Sequence, residues 1–365
     1  MRLVRTAGSP LARHLHPVAW WVWAIGLAVA CSRTSNPLLL LLAVTVACLV
    51  VAAKRGSSPW ARAFRLYLVL GAVIIVLRVL LHVVVGYKLG STRLYTLPSV
   101  ELPGITLLGP LYLEGLLAAA VEGLRLASLI ACIGAANALA NPKRLLRALP
   151  SALHEIGTAV VISVTVAPQL AESVQRVRRA RVLRGEGGTG LRSVGRVALP
   201  VLQDTLDRSL SLASAMDSRG YGRRTEQSPA TRRVTAALTL TGLLGAGIGM
   251  YGLLDSTAPA AIGLPMLVLG LALSAIGLRV GGRSVQRSVY RPDPWALPEW
   301  LVAASGLLAA VLVVVQSARA PGTLVLPVDP LAAPALPLLP VLGILVAALP
   351  AFVAPDPPVA RRGEP

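Results

Sequence analysis

The sequence predicts an all-α, multi-pass helical membrane protein with about eight transmembrane helices. Composition is the first reason, because 55% of the residues are hydrophobic, 14% are charged and the mean hydropathy is +0.70. A water-soluble domain of 365 residues does not need this much apolar surface. The second reason is the length of the apolar runs. Many are about 17 to 22 residues long, which matches a hydrocarbon core of roughly 30 Å at about 1.5 Å rise per residue.

The apolar runs predict the position of each span. We expect spans near 18–31, 37–53, 66–86, 107–140, 234–254, 260–279, 299–316 and 335–353. Prolines and glycines in the connection at 87–106 predict an irregular loop. The segment 141–233 is too polar for a clean span and too apolar for a linker, so it predicts interfacial helices packed under the membrane bundle.

The domain organisation follows from these spans. Residues 1–140 form a predicted four-span N-terminal bundle, and 141–233 form a long basic segment between spans four and five. Residues 234–353 hold four further spans. The proline-rich tail, 354–365, is predicted to be disordered.

Basic residues alternate in number along the chain. The formal net charge is +19, and assigning alternate connections to opposite sides of the membrane places about 29 basic residues on one side and 4 on the other. This asymmetry predicts that both termini and the 141–233 segment are cytoplasmic. Topology thus accounts for the charge, and we expect contact with membrane lipid but no nucleic-acid partner. Arginine outnumbers lysine 32 to 3, which suggests a GC-rich bacterial genome and a bacterial cell membrane.

A few polar or sulfur-bearing side chains fall inside the predicted spans. Ionisable groups at membrane depth usually face a bundle interior or a cavity. They indicate either a transport path or structural ion pairs, and Glu122 with Arg125, three residues apart, has the spacing of such a pair. The ionisable residues are Arg78, His82, Glu114, Glu122 and Arg125.

Cys31, Cys48 and Cys132 form no close pair in the sequence, which argues against a disulfide framework or a zinc site and predicts small membrane-facing hydrophobes.

One short motif occurs twice in the basic segment. "ARVLRGEG" at 180–187 and "AMDSRGYG" at 215–222 both place an alanine four residues before Arg-Gly. Glycine past the last turn closes a helix, and a basic residue there complements the helix dipole, so either copy alone is explained as a helix cap. Two copies instead predict two helices that each present an arginine at the tip. A forked guanidinium is suited to docking a partner's carboxylate.

The helix that ends in the second motif has a run of small side chains, which predicts that another helix crosses it closely there. These residues are Ser211, Ala213, Ser214, Ala215 and Ser218.

With these motifs, and above all with "LASAMDSRGYG", the sequence resembles the T component of energy-coupling factor transporters, the CbiQ/EcfT family, over roughly 20–255. The resemblance implies that two coupling helices dock onto a pair of cytoplasmic ABC-type ATPases and contact a substrate-binding membrane subunit, the S component. The ATPase-docking motif residues would be Ala180, Arg184, Gly185, Ala215, Arg219 and Gly220. In the first motif, Ala180-Arg181 offers a competing register.

The resemblance further implies a non-catalytic transporter subunit without a cofactor, which serves uptake of a vitamin or a metal ion. The membrane-apposed stretch 156–167 would pass motion to the S component. The chain departs from the family in its C-terminal part, because members commonly finish with about one span after the second motif. The last three predicted spans are therefore an extension.

The residues also bear on other functions. A phosphate-binding loop of the form GxxxxGK[ST] is absent from the sequence, because none of its lysines follows a glycine. Asp204 and Asp207, in "DTLD", leave open a membrane-embedded Mg²⁺-dependent transferase, although such enzymes need a second acidic cluster. A third possibility is a membrane scaffold whose basic helices hold anionic lipid.

Overall fold

The computed structural model describes residues 15–56, 63–85, 90–98, 100–102, 105–148, 154–185, 191–221, 228–254, 259, 261–282, 295–328 and 331–355. It confirms an all-α multi-pass protein. The described residues fall into two compact units. One unit joins the chain up to Leu145 with the residues from Trp295 onward, and the other holds the residues between them.

Twelve α-helices are present in the described residues. They are α1 Pro17–Ser32, α2 Pro37–Lys54, α3 Phe64–Val85, α4 Leu113–Leu139, α5 Pro142–Arg147, α6 His154–Leu183, α7 Leu191–Ser218, α8 Pro229–Leu254, α9 Leu264–Gly282, α10 Leu297–Arg319, α11 Leu338–Val346 and α12 Pro350–Val353. A short 3₁₀ helix, Pro321–Leu324, follows α10.

Within the described part of the chain, seven helices are long and apolar enough to cross a membrane, judged by length and composition. They are α2, α3, α4, residues Ile156–Leu183 of α6, α8, α9 and α10. Two further apolar helices are shorter, Pro17–Ser32 and Leu338–Val353. Each predicted span overlaps one of these helices. Ile156–Leu183 is an addition, since the sequence predicted interfacial helices over 141–233.

The connection before α4 is not the irregular loop that its glycines and prolines suggested. Two antiparallel strand pairs form there, β1 Arg93–Thr96 with β4 Pro110–Tyr112, and β2 Val100–Leu102 with β3 Ile105–Leu107. The fourth span accordingly begins at Leu113 rather than 107. Gly109, between β3 and β4, has a φ of 105°, a conformation that glycine adopts without strain.

Short polar contacts tie the N-terminal helices of the first unit together. The Arg125 guanidinium on α4 donates to the main-chain oxygen of Ser32, where α1 ends. Glu122 forms an ion pair with Arg78 of α3, so the expected pairing of Glu122 with Arg125 is wrong. Glu122 therefore pairs with a residue of the neighbouring helix α3 rather than with Arg125 on its own helix. Glu114, buried at the start of α4, accepts hydrogen bonds from the Thr92 N–H and the Ser91 hydroxyl.

The C-terminal helices α10 to α12 pack against α1 and α2. α1 and α10 cross at Gly26 and Gly306, so closely that a Cβ on either glycine would overlap the backbone of the other helix. The Trp23 indole N–H donates to the Ala347 carbonyl at 2.9 Å, and the Thr34 hydroxyl donates to the Leu324 carbonyl at 2.8 Å. This part of the predicted extension therefore completes the N-terminal bundle.

In the second unit, α8 and α9 form a close hairpin through glycines. A Cβ on Gly242, Gly249 or Gly270 would overlap main-chain atoms of the opposite helix. Backbones that approach this closely are typical of membrane helix pairs, because small residues let van der Waals contact drive association.

Candidate functional site

The first Arg-Gly pair forms the C-terminal cap of α6. Arg184 is the residue after the last helical position, and its N–H donates to the Ala180 carbonyl at 3.2 Å. Gly185 has a φ of 77°, and its N–H donates to the Val182 carbonyl at 3.0 Å. A left-handed glycine that bonds back in this way closes an α-helix.

The second Arg-Gly pair ends α7 with the same geometry. Gly220 has a φ of 74°, and its N–H donates to the Asp217 carbonyl at 2.8 Å. The Tyr221 N–H donates to the Met216 carbonyl at 3.1 Å, which completes a Schellman motif. In both copies the arginine is the cap residue and the glycine is the left-handed residue after it. This equivalence favours Arg184-Gly185 over Ala180-Arg181 as the register of the first motif.

Both tips present charge next to apolar surface. Arg184 and Arg219 are exposed, and so are Ala180 and Ala215, one turn back on their helices. Beside Arg184, the Leu183 side chain is 88% exposed. Tyr221, two residues after Arg219, is exposed as well. An arginine flanked by exposed apolar or aromatic side chains has the composition of a protein-docking surface.

α6 and α7 meet far from the two tips. Ser173 is buried, and its hydroxyl donates to Asp204 Oδ2 at 2.7 Å. Val197 and Val201 of α7 are buried on the same face. The run of small side chains near the end of α7 is exposed, so the prediction that a helix of this chain crosses there is wrong. The Ser173–Asp204 bond and the two valines fix the contact about three to six turns before the tips.

Asp204 is held by its neighbours in the α6–α7 contact. The Ser173 hydroxyl is the first cause of a lowered pKa for this carboxyl, and Arg208, whose Nε lies 3.1 Å from Asp204 Oδ1, is the second. Both carboxylate oxygens are thus engaged, while Asp207 is exposed. Among the residues that the structure describes, no group of three or more His, Cys, Asp or Glu side chains lies together. This arrangement gives no support to the Mg²⁺-dependent transferase.

Substituting two glycines of this region by alanine distinguishes a glycine required by the helix cap from a glycine that only lowers helix propensity. A Cβ at Gly185 or Gly195 would meet no atom within 4 Å, but Gly185 is left-handed whereas Gly195 lies inside α7. We expect Gly185→Ala to destabilise the end of α6 by about 1 kcal/mol, and Gly195→Ala to stabilise α7 by about 0.5–1 kcal/mol. Amide hydrogen exchange in the two helices measures both. Changes of the same sign would contradict the assigned cap.

Comparison with known proteins identifies similar sequences. A family model for the cobalt transport protein CbiQ matches residues 8–229, more than half of the chain. The energy-coupling factor transporter transmembrane protein EcfT of Thermanaerovibrio acidaminovorans is 32% identical over 124 residues. That match covers 30% of this chain and 46% of the relative, so it spans less than half of the relative's length.

Proposed function

Because the chain belongs to the CbiQ family of cobalt transport proteins, we propose that it is the transmembrane coupling subunit of an energy-coupling factor importer. In this role it transmits ATP-driven motion of two cytoplasmic ABC-type ATPases to a substrate-binding S component. The observation that carries the proposal is the pair of exposed arginine tips with equivalent cap geometry, on helices α6 and α7. The cargo class is a micronutrient, either a vitamin or a metal ion.

Each tip suits one ATPase. A guanidinium donates two parallel hydrogen bonds to a carboxylate, so an arginine held at a rigid cap docks an acidic partner in a defined orientation. The left-handed glycine fixes where the helix ends and hence where the arginine projects. Two such tips imply two docking events, and we assign Ala180, Arg184 and Gly185 to one ATPase and Ala215, Arg219 and Gly220 to the other.

α6 and α7 act as one lever in this proposal. The Ser173–Asp204 hydrogen bond and the buried Val197 and Val201 join the two helices, while the tips remain free. When the two ATPases close on ATP, the tips are drawn together and the contact near Ser173 turns that movement into a rotation of both helices. The proposed topology places both tips and both chain termini in the cytoplasm, as the positive-inside asymmetry requires.

In this proposal the S component binds the face of α7 that points away from α6. Four leucines, which we call the leucine stripe, are between 54% and 69% exposed: Leu199, Leu202, Leu206 and Leu210. At about 100° per residue they lie opposite Val197 and Val201, the face that meets α6. α6 has exposed apolar residues of its own, Ile156, Val160 and Val164, within the stretch 156–167. Exposed apolar stripes of this length indicate a protein or membrane contact.

A charge in the leucine stripe is expected to release the S component and leave the ATPases bound. Leu206→Glu places a carboxylate in the middle of the stripe, where burial against an apolar partner has no compensating charge. We expect at least a tenfold loss of co-purified S component. Gln203→Glu, exposed on the same helix beside the stripe, is the matched control and is expected to retain it. Equal loss in both variants would remove the stripe from the proposed interface.

Native mass spectrometry tests the proposed function as a whole. The chain is co-produced with the ABC-type ATPases and candidate S components of its own genome, and is purified through a tag on the chain. We expect a complex that contains one copy of this chain and two ATPase subunits, with ATP hydrolysis in the ATPases. A chain that is folded but carries no ATPase would instead support the lipid-holding scaffold.

A further inference from the structure

The first turns of α1 and α10 lie side by side at one end of the first unit, next to the start of α5. The Arg144 guanidinium on α5 donates to the carbonyl of Leu15, just before α1, at 3.3 Å. The rings of His16 and Trp295, which lie just before α1 and α10, have their centroids 5.1 Å apart. Trp295 in turn meets Trp300 of α10 at a centroid distance of 5.5 Å. We call these five residues the aromatic edge.

The tryptophans of the aromatic edge face outward rather than into the core. Trp300 is 64% exposed, and Trp295 is exposed as well. Their ring planes are 75° apart, the edge-to-face arrangement that aromatic pairs favour. His16 Nδ1 accepts the Val18 N–H at 3.4 Å, and this cap on α1 orients the imidazole ring beside Trp295. Tryptophan combines an apolar body with an N–H donor, so exposed tryptophans at a helix end indicate contact with the lipid–water boundary.

The charge next to these rings is positive. A guanidinium has five N–H donors, so Arg144 can bond a main-chain carbonyl and a phosphate together. The described residues 15–20, 141–148 and 295–300 contain three lysines or arginines and one carboxylate, Glu299. The Glu299 side chain is fully buried and accepts the Ala296 N–H at 3.0 Å within the first turn of α10. The aromatic edge therefore offers positive charge and apolar surface to the same ligand.

We propose that the aromatic edge binds one anionic phospholipid, with the Arg144 guanidinium on its phosphate and Trp300 against its glycerol and upper acyl chain. A free phosphate would be attracted to the arginine, but it has no apolar part to cover the exposed rings. A phospholipid supplies both, and the cytoplasmic leaflet carries anionic lipids. The binding requires the proposed topology, in which these helix ends are cytoplasmic, but neither the ATPases nor the S component.

Native mass spectrometry of the full-length chain in detergent measures this binding. Phosphatidylglycerol and phosphatidylcholine with the same acyl chains are titrated separately, and the first lipid adduct gives an apparent Kd for each. We expect phosphatidylglycerol to bind about fivefold more tightly, the effect of one arginine near an anionic headgroup. Inorganic phosphate at the same concentration is expected not to displace it. Displacement by inorganic phosphate would overturn the proposal, because the ligand would then be any small anion.

Variants at Arg144 test the contact with the headgroup. Arg144→Gln is expected to bind the two lipids equally, while Arg144→Lys keeps the charge and retains the preference for phosphatidylglycerol. Arg319→Gln is the matched control, because it makes the same change in net charge at an exposed residue in the last turn of α10, at the other end of the helix from Trp300. We expect it to bind both lipids as the wild type does.

Trp300→Ala tests the ring and leaves the Arg144 bond to Leu15 in place. Since Trp300 is largely exposed, we expect an unchanged unfolding temperature and about threefold weaker binding of both lipids. This variant decides the outcome if Arg144→Gln does not fold. Unaltered lipid binding by Trp300→Ala would then overturn the proposal.

Three further results would contradict an anionic-lipid site at the aromatic edge. One is equal affinity of the wild type for the two lipids, and another is tighter binding of phosphatidylcholine, whose quaternary ammonium group is attracted to aromatic rings without an arginine. The third is a full preference for phosphatidylglycerol in a folded Arg144→Gln variant, or an equal loss of that preference in Arg319→Gln.

Discussion

The double variant Arg184→Glu/Arg219→Glu is expected to lose all detectable capture of the ABC-type ATPases, and each single variant to weaken it by at least about tenfold. Both guanidinium groups sit at exposed caps whose backbone bonds do not involve the side chain. Charge reversal therefore leaves the helix ends intact and sets like charges against an acidic partner. Co-purification of tagged variants with the ATPases measures the effect.

Two control variants separate docking from general electrostatics. Arg196→Glu removes an exposed arginine from the body of α7 and makes the same change in net charge. It is expected to capture ATPase as the wild type does. Arg219→Lys keeps the charge and loses the planar fork, so we expect an intermediate loss. Equal losses in the Arg196 and Arg219 variants would mean that net charge, rather than the tips, governs capture.

Gly306→Leu is expected to disrupt the crossing of α1 and α10 and to destabilise the first unit by about 3 kcal/mol or more. A Cβ at this position would overlap the main chain of Trp23, and a backbone cannot move aside as a flexible side chain can. Thermal unfolding in detergent, followed by tryptophan fluorescence, measures the loss.

Gly322→Leu is the matched control for the crossing. A Cβ at Gly322 would meet no atom within 4 Å, and we expect its unfolding temperature to stay near that of the wild type. If Gly306→Leu unfolded at the wild-type temperature, α10 would not pack against α1 as described.

Long apolar runs were the part of the fold that sequence reasoning predicted well. The run at 37–53 became α2 Pro37–Lys54, because Asn36 caps the helix and Pro37 occupies its first position. The two helix ends at Arg184 and Arg219 were also predicted, since glycine at the left-handed position leaves a local signal.

Contacts between distant segments had no such local signal. The strand pairs before α4 are only three or four residues long, and their glycines and prolines suggested a loop. Glu122 pairs with Arg78, 44 positions away, rather than with its helical neighbour Arg125. The return of α10 to α12 onto α1 and α2 likewise depends on packing that no periodicity encodes.

The α6–α7 contact lies at a different place from the crossing that the sequence predicted. The small side chains at the end of α7 predicted a crossing there, yet the crossing lies near Ser173 and Asp204. A hydroxyl and a carboxylate on facing helices fix a contact more firmly than an exposed run of alanines and serines. The heptad-like spacing of Leu199, Leu202, Leu206 and Leu210 is a periodic signal that predicts an apolar face on α7.

Site-specific photo-crosslinking from the two tips measures whether each tip contacts an ATPase. A benzophenone side chain is placed at Leu183 or at Ser218, each adjacent to a cap arginine and exposed, and at Gln203 as a control. We expect ATPase adducts from both tips, two ATPases on one chain when both positions carry the probe, and none from position 203. An intact complex that gives no ATPase adduct from either tip would contradict the proposed docking.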